Sequence, residues 1–480
     1  MPSTAPNRER DDGSIKVYHT SNDYVDRSST NDVFHEHQDF QVSTQKLLWK
    51  LDTRILPLFV LLVLCSFLDR TNVGNAKLYH LETDLGLTNF QYNQALTAFY
   101  PLYIAGEIPS NLILKKVTPR IWIGVMAFLW GLICMSIGFV NNFAQFVSLR
   151  AILGLAEGGL FPGMVLYLSM IYTRSELALR IGVLYTATSL SSAFGGLLAR
   201  AMAEIGHRGG LSPWRWIFVI EGIFTMLVGV AVMLILPNNI TTARFLREEE
   251  RTLALQRLRG VEHGTGNKEL YGLPSPLYQF QIISDKSRIS REEKFAWSEV
   301  RRAVLSPQTW LSASAYFGLL TGIYSFGIFL PSILAGIGYT ANAAQLWSVI
   351  PYSIAACTTL LIAFFSDRFK LRGCMILCTL PVAIVGYAVI ANIGDGHHRV
   401  KYGMTFMMAT GLYSSVPPVL TWLANNSAGH YKRATAAALQ LAIANCGGIL
   451  ASFIYPNIEA PSYHKGHTIV LSLLTAGWFS

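Results

Sequence analysis

Four ionisable side chains stand where the chain is otherwise apolar. Asp69 and Arg70 are adjacent in "CSFLDRTNVGNA" (65–76), and Arg150 and Glu157 lie in "RAILGLAEGGLFPG" (150–163). Arginine suits a carboxylate because its planar fork binds bidentately and keeps its charge. Burial makes a carboxyl group harder to ionise and a neighbouring arginine makes it easier. An anion that engages the arginine removes that help, so anion binding and protonation can favour each other. Two acids and two arginines therefore make a candidate proton-coupled anion site. Arg150 and Glu157 are seven residues apart, two helical turns less about 20°, and share a helix face. Gly154, Gly158, Gly159 and Gly163 add a small-residue stripe that lets a neighbouring backbone approach. A second reading stays open, in which Arg150 and Glu157 form an ion pair locking two helices.

The elements that must hold these groups follow from length. The apolar run Ile55–Leu68 has 14 residues and covers roughly 21 Å as a helix, against about 30 Å of hydrocarbon. A helix ending at Leu68 would not cross a bilayer. One continuing through Asp69 and Arg70 would, which places the charges within or close to the membrane. Such residues are costly there and tend to face a bundle interior or a water-filled cavity. The alternative is an interfacial pair with Arg70 reaching back to headgroups.

Composition supports a membrane setting. Of 480 residues 51% are hydrophobic and 14% charged, where soluble domains carry about 25% charge. Eleven segments near 54–78, 90–114, 120–140, 144–171, 180–202, 214–236, 308–335, 343–366, 373–393, 401–425 and 433–456 are long enough to cross or nearly cross a bilayer. A twelfth begins at His467 and stops at Ser480. Residues 237–307 form a polar linker with twelve Lys/Arg and two candidate amphipathic helices, "RFLREEERTLALQRLRG" and "REEKFAWSEVRRAV". Lysines and arginines also gather after spans two, four, eight and ten. The loop after span five, with Arg208 and Arg215, breaks the trend. The positive-inside rule then puts the N-terminus and linker in the cytoplasm. The first 47 residues lack an apolar core and read as a disordered tail, without a signal peptide. The six cysteines all fall in apolar segments, and Cys374 and Cys378, four apart on one expected helix, read as small packing residues. No GxSxG, HExxH, P-loop or metal-ligand spacing supports catalysis or a metal, and no basic–aromatic stretch suggests nucleic acid.

Two six-span halves around a linker suggest a carrier with alternating access. The second half offers hydrogen-bonding and aromatic groups for a ligand: Tyr316, Tyr324, Ser325 and Phe326 in span seven, Tyr413, Ser414, Thr421, Trp422 and Asn425 in span ten, Gln440 and Asn445 in span eleven. Tyr324, Tyr413, Trp422 and Asn425 are the substrate-binding candidates beside Arg70 and Arg150, with packing as the open alternative for the rings. Pro417–Pro418 is expected to interrupt span ten, as broken helices often mark a site or hinge. Glu107, near the cytoplasmic end of span two, is a candidate for organising a gate.

"FLDRTNVGNA", "EIPSNLILKK", "RAILGLAEGGLFPG", "PWRWIFVIEG", "FFSDRFKLRG" and "WLANNSAGHYKRA" together resemble the major facilitator superfamily, and within it the anion:cation symporter family in its fungal allantoate permease branch. That branch includes nicotinate, pantothenate and biotin carriers, and the resemblance runs from about Leu48 to the end. "SDRFKLRG" is similar to the superfamily's cytoplasmic loop signature, which makes Asp367 and Arg368 gating candidates. The matching loop of the first half, "PSNLILKKVTPR", lacks its Asp. The resemblance implies that Asp69 and Glu157 carry protons, that Arg70 contacts the anion, and that Arg150 is a switchable partner of the acids. The chain departs from the family in its last span, where "HTIVLSLLTAGWFS" reads as a truncated helix.

The expectation is an all-α membrane protein of the major facilitator fold, with a tail (1–47), a six-helix bundle (48–236), a cytoplasmic linker (237–307) and a second bundle (308–480) whose last helix is incomplete. It would be a monomer without cofactor, importing a small organic anion with protons across the plasma membrane. An exporter of a secondary metabolite and a nutrient sensor that binds without transporting share most of these features.

Overall fold

A computed structural model describes residues 27–114, 116–206, 210–262, 297–369, 371–394, 396–427, 430–456, 459 and 462–480. The described residues up to Lys50 form one unit and those from Leu51 another. Among the described residues the regular structure is helical throughout. The first half contains α1 (Arg27–Lys77), the short α2 (Leu81–Asp84), α3 (Asn89–Leu114), α4 (Pro119–Ile137), α5 (Phe143–Glu157), α6 (Leu160–Ser169), α7 (Arg174–Ile205) and α8 (Pro213–Ile235). Two linker helices follow, α9 (Glu248–Glu262) and α10 (Trp297–Val304). The second half contains α11 (Pro307–Gly336), α12 (Ala341–Phe369), α13 (Arg372–Asn392), α14 (His398–Asn426), α15 (His430–Ile454) and α16 (His464–Phe479).

Local chemistry sets several helix starts. α4, α8 and α11 each begin with proline in the first turn, after Thr118, Ser212 and Ser306. Proline is pre-set for that position, where its missing N–H is not needed. α7 opens on a capping box between Thr173 and Glu176, and the Asn142 side chain accepts from Gln145 N at the start of α5.

Each expected span has a helix, and nine of the described helical segments are long and apolar enough to cross a membrane. Three details differ from expectation. Residues 27–47 are helical rather than a disordered tail; extending an existing helix is easier than nucleating one. α14 runs without interruption through Pro417 and Pro418. The prolines withdraw the two N–H donors that would reach the carbonyls of Tyr413 and Ser414, yet a membrane helix can continue where neighbouring groups satisfy the backbone. Cys374 and Cys378 are exposed on α13 rather than packed, whereas Cys65 and Cys134 are buried.

Between apolar helices in a membrane, close backbone approach replaces the hydrophobic drive. α3 packs on α5, and α4 on α8. A Cβ on Gly154 would stand 2.0 Å from the Phe99 carbonyl oxygen, and one on Gly158 2.1 Å from that of Tyr103. The helix breaks at Gly158–Gly159, dividing the fourth span into α5 and α6. The halves meet through α3 with α15 and α7 with α12. α1 also meets α11, where a Cβ on Gly74 would be 2.1 Å from Ile328 O. On the linker side, Arg257 of α9 lies 3.5 Å from Glu176, and Arg180 pairs with Asp52 at 2.6 Å.

Candidate functional site

Asp69 and Arg70 are consecutive on α1, so their side chains leave the helix about 100° apart. They serve two different surroundings. Arg70 turns toward α5 and α11. Its Nη2 and Nε donate to the same oxygen of Glu157, Oε1, at 2.5 and 3.0 Å, and Ser66 Oγ donates to that oxygen too. Glu157 Oε2 is buried and has no hydrogen-bond partner. From its other arm, Arg70 Nη1 donates to the Tyr324 hydroxyl at 2.8 Å, which donates to Asn445 Oδ1 at 2.9 Å. A polar chain thus runs from Glu157 in the first half to Asn445 in the second.

Aromatic rings enclose the guanidinium. The centroids of Phe67, Phe99, Tyr103 and Tyr324 lie 4.7 to 5.7 Å from Arg70 Cζ. Such faces attract a cation, more so when water is absent. Arg70, Glu157, Ser66, Tyr103, Tyr324 and Asn445 border a small cavity. It extends along Val63, Tyr185, Tyr316 and Leu320 toward the N-terminal ends of α1, α7 and α11.

Asp69 faces the opposite way, into α4 and α8. Trp130 Nε1 donates to Oδ2, and Cys134 Sγ lies 2.6 Å from Oδ1. Glu221 of α8 joins this cluster and accepts from Asn72 Nδ2. One ligand atom each of Asp69, Cys134 and Glu221 lie within 4.8 Å of one another. Two oxygens and a sulfur could ligate a metal, but the thiol here spends its proton on Asp69. Arg150 is buried, stacks over Phe99 at 5.2 Å and donates from Nη1 to the Asp69 backbone carbonyl at 3.2 Å.

The structure therefore brings Arg70, Glu157 and Tyr324 to one cavity and sets Asp69 and Arg150 behind it. Arg150 and Glu157 share a face of α5 but stand about 10 Å apart along it, so Glu157 pairs with Arg70 instead. Tyr413 lies away from the cavity lining, against Tyr352 and 3.3 Å from Ser192. Trp422 is half-buried near the end of α14, and Glu107 is buried on α3. Arg368 is exposed at the end of α12; the side chains of Asp367 and Asn425 lie outside the described residues. Sequence reasoning missed Ser66, Asn72, Tyr103, Trp130, Cys134 and Glu221. Only Glu221 carried a plain signal, a full charge inside the expected span 214–236, near the end of "PWRWIFVIEG".

Helical halves meeting around a buried, ring-lined cation describe a membrane carrier. A family model described as Major Facilitator Superfamily matches residues 59–452, and the chain belongs to that superfamily of transporters. It is similar to an uncharacterized transporter of Schizosaccharomyces pombe, 38% identical over 421 residues that cover 88% of this chain and 79% of that one. It is 30% identical over 428 residues to the high-affinity nicotinic acid transporter of Saccharomyces cerevisiae, covering 89% and 75% of the two chains. The fold is that of the xylose transporter XylE from E. coli in a partially occluded inward-open conformation, with TM-score 0.64, 17% identity, and coverage of 89% of this chain and 97% of that one.

Proposed function

We propose that this transporter imports a small carboxylate together with a proton, with the N-terminus and linker in the cytoplasm of a plasma-membrane carrier. The observation that carries this reading is the buried Arg70–Glu157 pair on the cavity wall. Breaking a buried pair by removing one partner costs about 3–5 kcal/mol, because it leaves an unpaired charge. Glu157 can yield Arg70 only if another anion takes its place and its own charge is neutralised. A carboxylate substrate supplies the first condition and a proton the second. The unpartnered Oε2 can take that proton while Oε1 still touches Arg70. The rings beside the guanidinium favour a planar, apolar body behind the carboxylate. A relative named as a nicotinic acid transporter agrees with that shape.

Uptake of radiolabelled nicotinate, allantoate and aliphatic monocarboxylates by cells expressing the full chain tests the proposal. At least one should enter faster as external pH falls and stop accumulating when a protonophore is added. Accumulation of none, or accumulation indifferent to the protonophore, would overturn it.

A further inference from the structure

The cluster behind α1 is not explained by anion binding. Asp69 is 1% exposed and Glu221 2% exposed, and neither carboxylate is ion-paired to a basic side chain among the described residues. Arg150 gives its Nη1 bond to a backbone carbonyl, not to a carboxylate. The titratable and charged groups facing this cluster are Cys65 and Asp69 from α1, Cys134 from α4, Arg150 and Glu157 from α5, and Glu221 from α8. Two arginines, Arg70 and Arg150, thus stand against three carboxylates, Asp69, Glu157 and Glu221. With every group ionised, this core would carry a net charge of minus one inside the membrane. One proton restores neutrality.

Geometry says where that proton sits. Glu157 is paired with Arg70 and accepts from Ser66 at the same oxygen. Asp69 accepts from Trp130 and Cys134, one donor for each oxygen. Glu221 accepts from Asn72 at Oε2, and its Oε1 is buried without a hydrogen-bond partner. Two carboxylates this near each other, away from water, cannot both ionise without strong mutual repulsion. We propose that Glu221 and Asp69 share one exchangeable proton across the α1–α8 contact, held already in the empty carrier and distinct from the proton that Glu157 takes when substrate arrives.

The charge count extends to the loaded state. An arriving monoanion returns the core to minus one, and a second proton neutralises it, leaving three carboxylates with two protons. Glu221 then holds a share of a proton in both states without touching substrate. This inference rests on the proton-coupled reading above, and the two can fail separately.

Infrared difference spectroscopy of the purified full chain in lipid nanodiscs, titrated in pH, reads the proton directly. The wild type should show a buried protonated-carboxyl band. In Glu221→Gln that band should vanish, or its midpoint should move by at least one pH unit. In Glu221→Asp the band should persist with a displaced midpoint, which keeps the test alive if the glutamine variant fails to fold. A band and midpoint unchanged in either variant would overturn the shared proton. A wild type that shows the band while its uptake ignores pH would instead sink the proton-coupled reading and leave the shared proton standing.

Discussion

Arg70 holds three roles in one guanidinium: it neutralises Glu157, reaches Tyr324 in the other half, and stacks among rings. Lysine would keep the charge but not the fork. Arg70→Lys should therefore lower uptake about tenfold, equivalent to ~1.4 kcal/mol, with surface expression matched. Unchanged initial rates across substrate concentrations would remove Arg70 from anion recognition. Glu157→Gln tests the partner. The wild type needs Glu157 neutral to release Arg70, so uptake should rise as external pH falls. Glutamine is neutral at every pH, so the contribution of this residue should become flat. Uptake by Glu157→Gln that still climbs with acid as in the wild type would take Glu157 out of the proton path. The adjacency of Asp69 and Arg70 was legible in the sequence, and so was their depth. Their division between two sides of α1 was not, because the helix is buried at every position from Leu68 to Ala76 and has no polar face there to orient it.

Helices in this molecule are held at backbone distance, and glycine position decides which contacts tolerate change. Gly154→Ala would drive a Cβ to 2.0 Å from the Phe99 carbonyl, and Phe99 lies under both Arg70 and Arg150. We expect a loss of roughly 1–3 kcal/mol from overpacking, seen as a lower unfolding temperature in detergent and weakened uptake. Gly163→Ala is the control. Its Cβ would meet only the Leu114 side-chain methyl at 3.3 Å, and that side chain can give way, so the unfolding temperature should stay close to wild type. Equal losses in both would refute backbone contact as the reason. The glycine stripe, like the spans themselves, could be read from composition and length. The break at Gly158–Gly159 could not, since two glycines in a membrane helix serve equally as packing surface. Pro417–Pro418 misled in the opposite direction, because membrane helices retain prolines where neighbouring groups satisfy the backbone they free.

At the scale of the whole carrier, the link between halves escaped sequence reasoning most fully. Arg70 and Tyr324 are 254 residues apart, and nothing local pairs them. The loop charges did carry an orientation, which remains testable. A cysteine at the exposed linker position Glu249, introduced as Glu249→Cys, should resist an impermeant thiol reagent in intact cells and react after permeabilisation. Reaction in intact cells would reverse the proposed topology. A final consequence belongs to the Arg70–Glu157 pair. When empty, the carrier returns with that pair closed on itself; when loaded, it moves an anion together with a proton. Neither half of the cycle displaces net charge across the bilayer. An electric potential does work on moving charge, about 2.3 kcal/mol for each elementary charge per 100 mV, and here it would find none to act on. Cells depolarised with potassium and an ionophore, with the pH gradient held constant, should take up substrate at an unaltered initial rate: the molecule would be driven by acidity while remaining electrically silent.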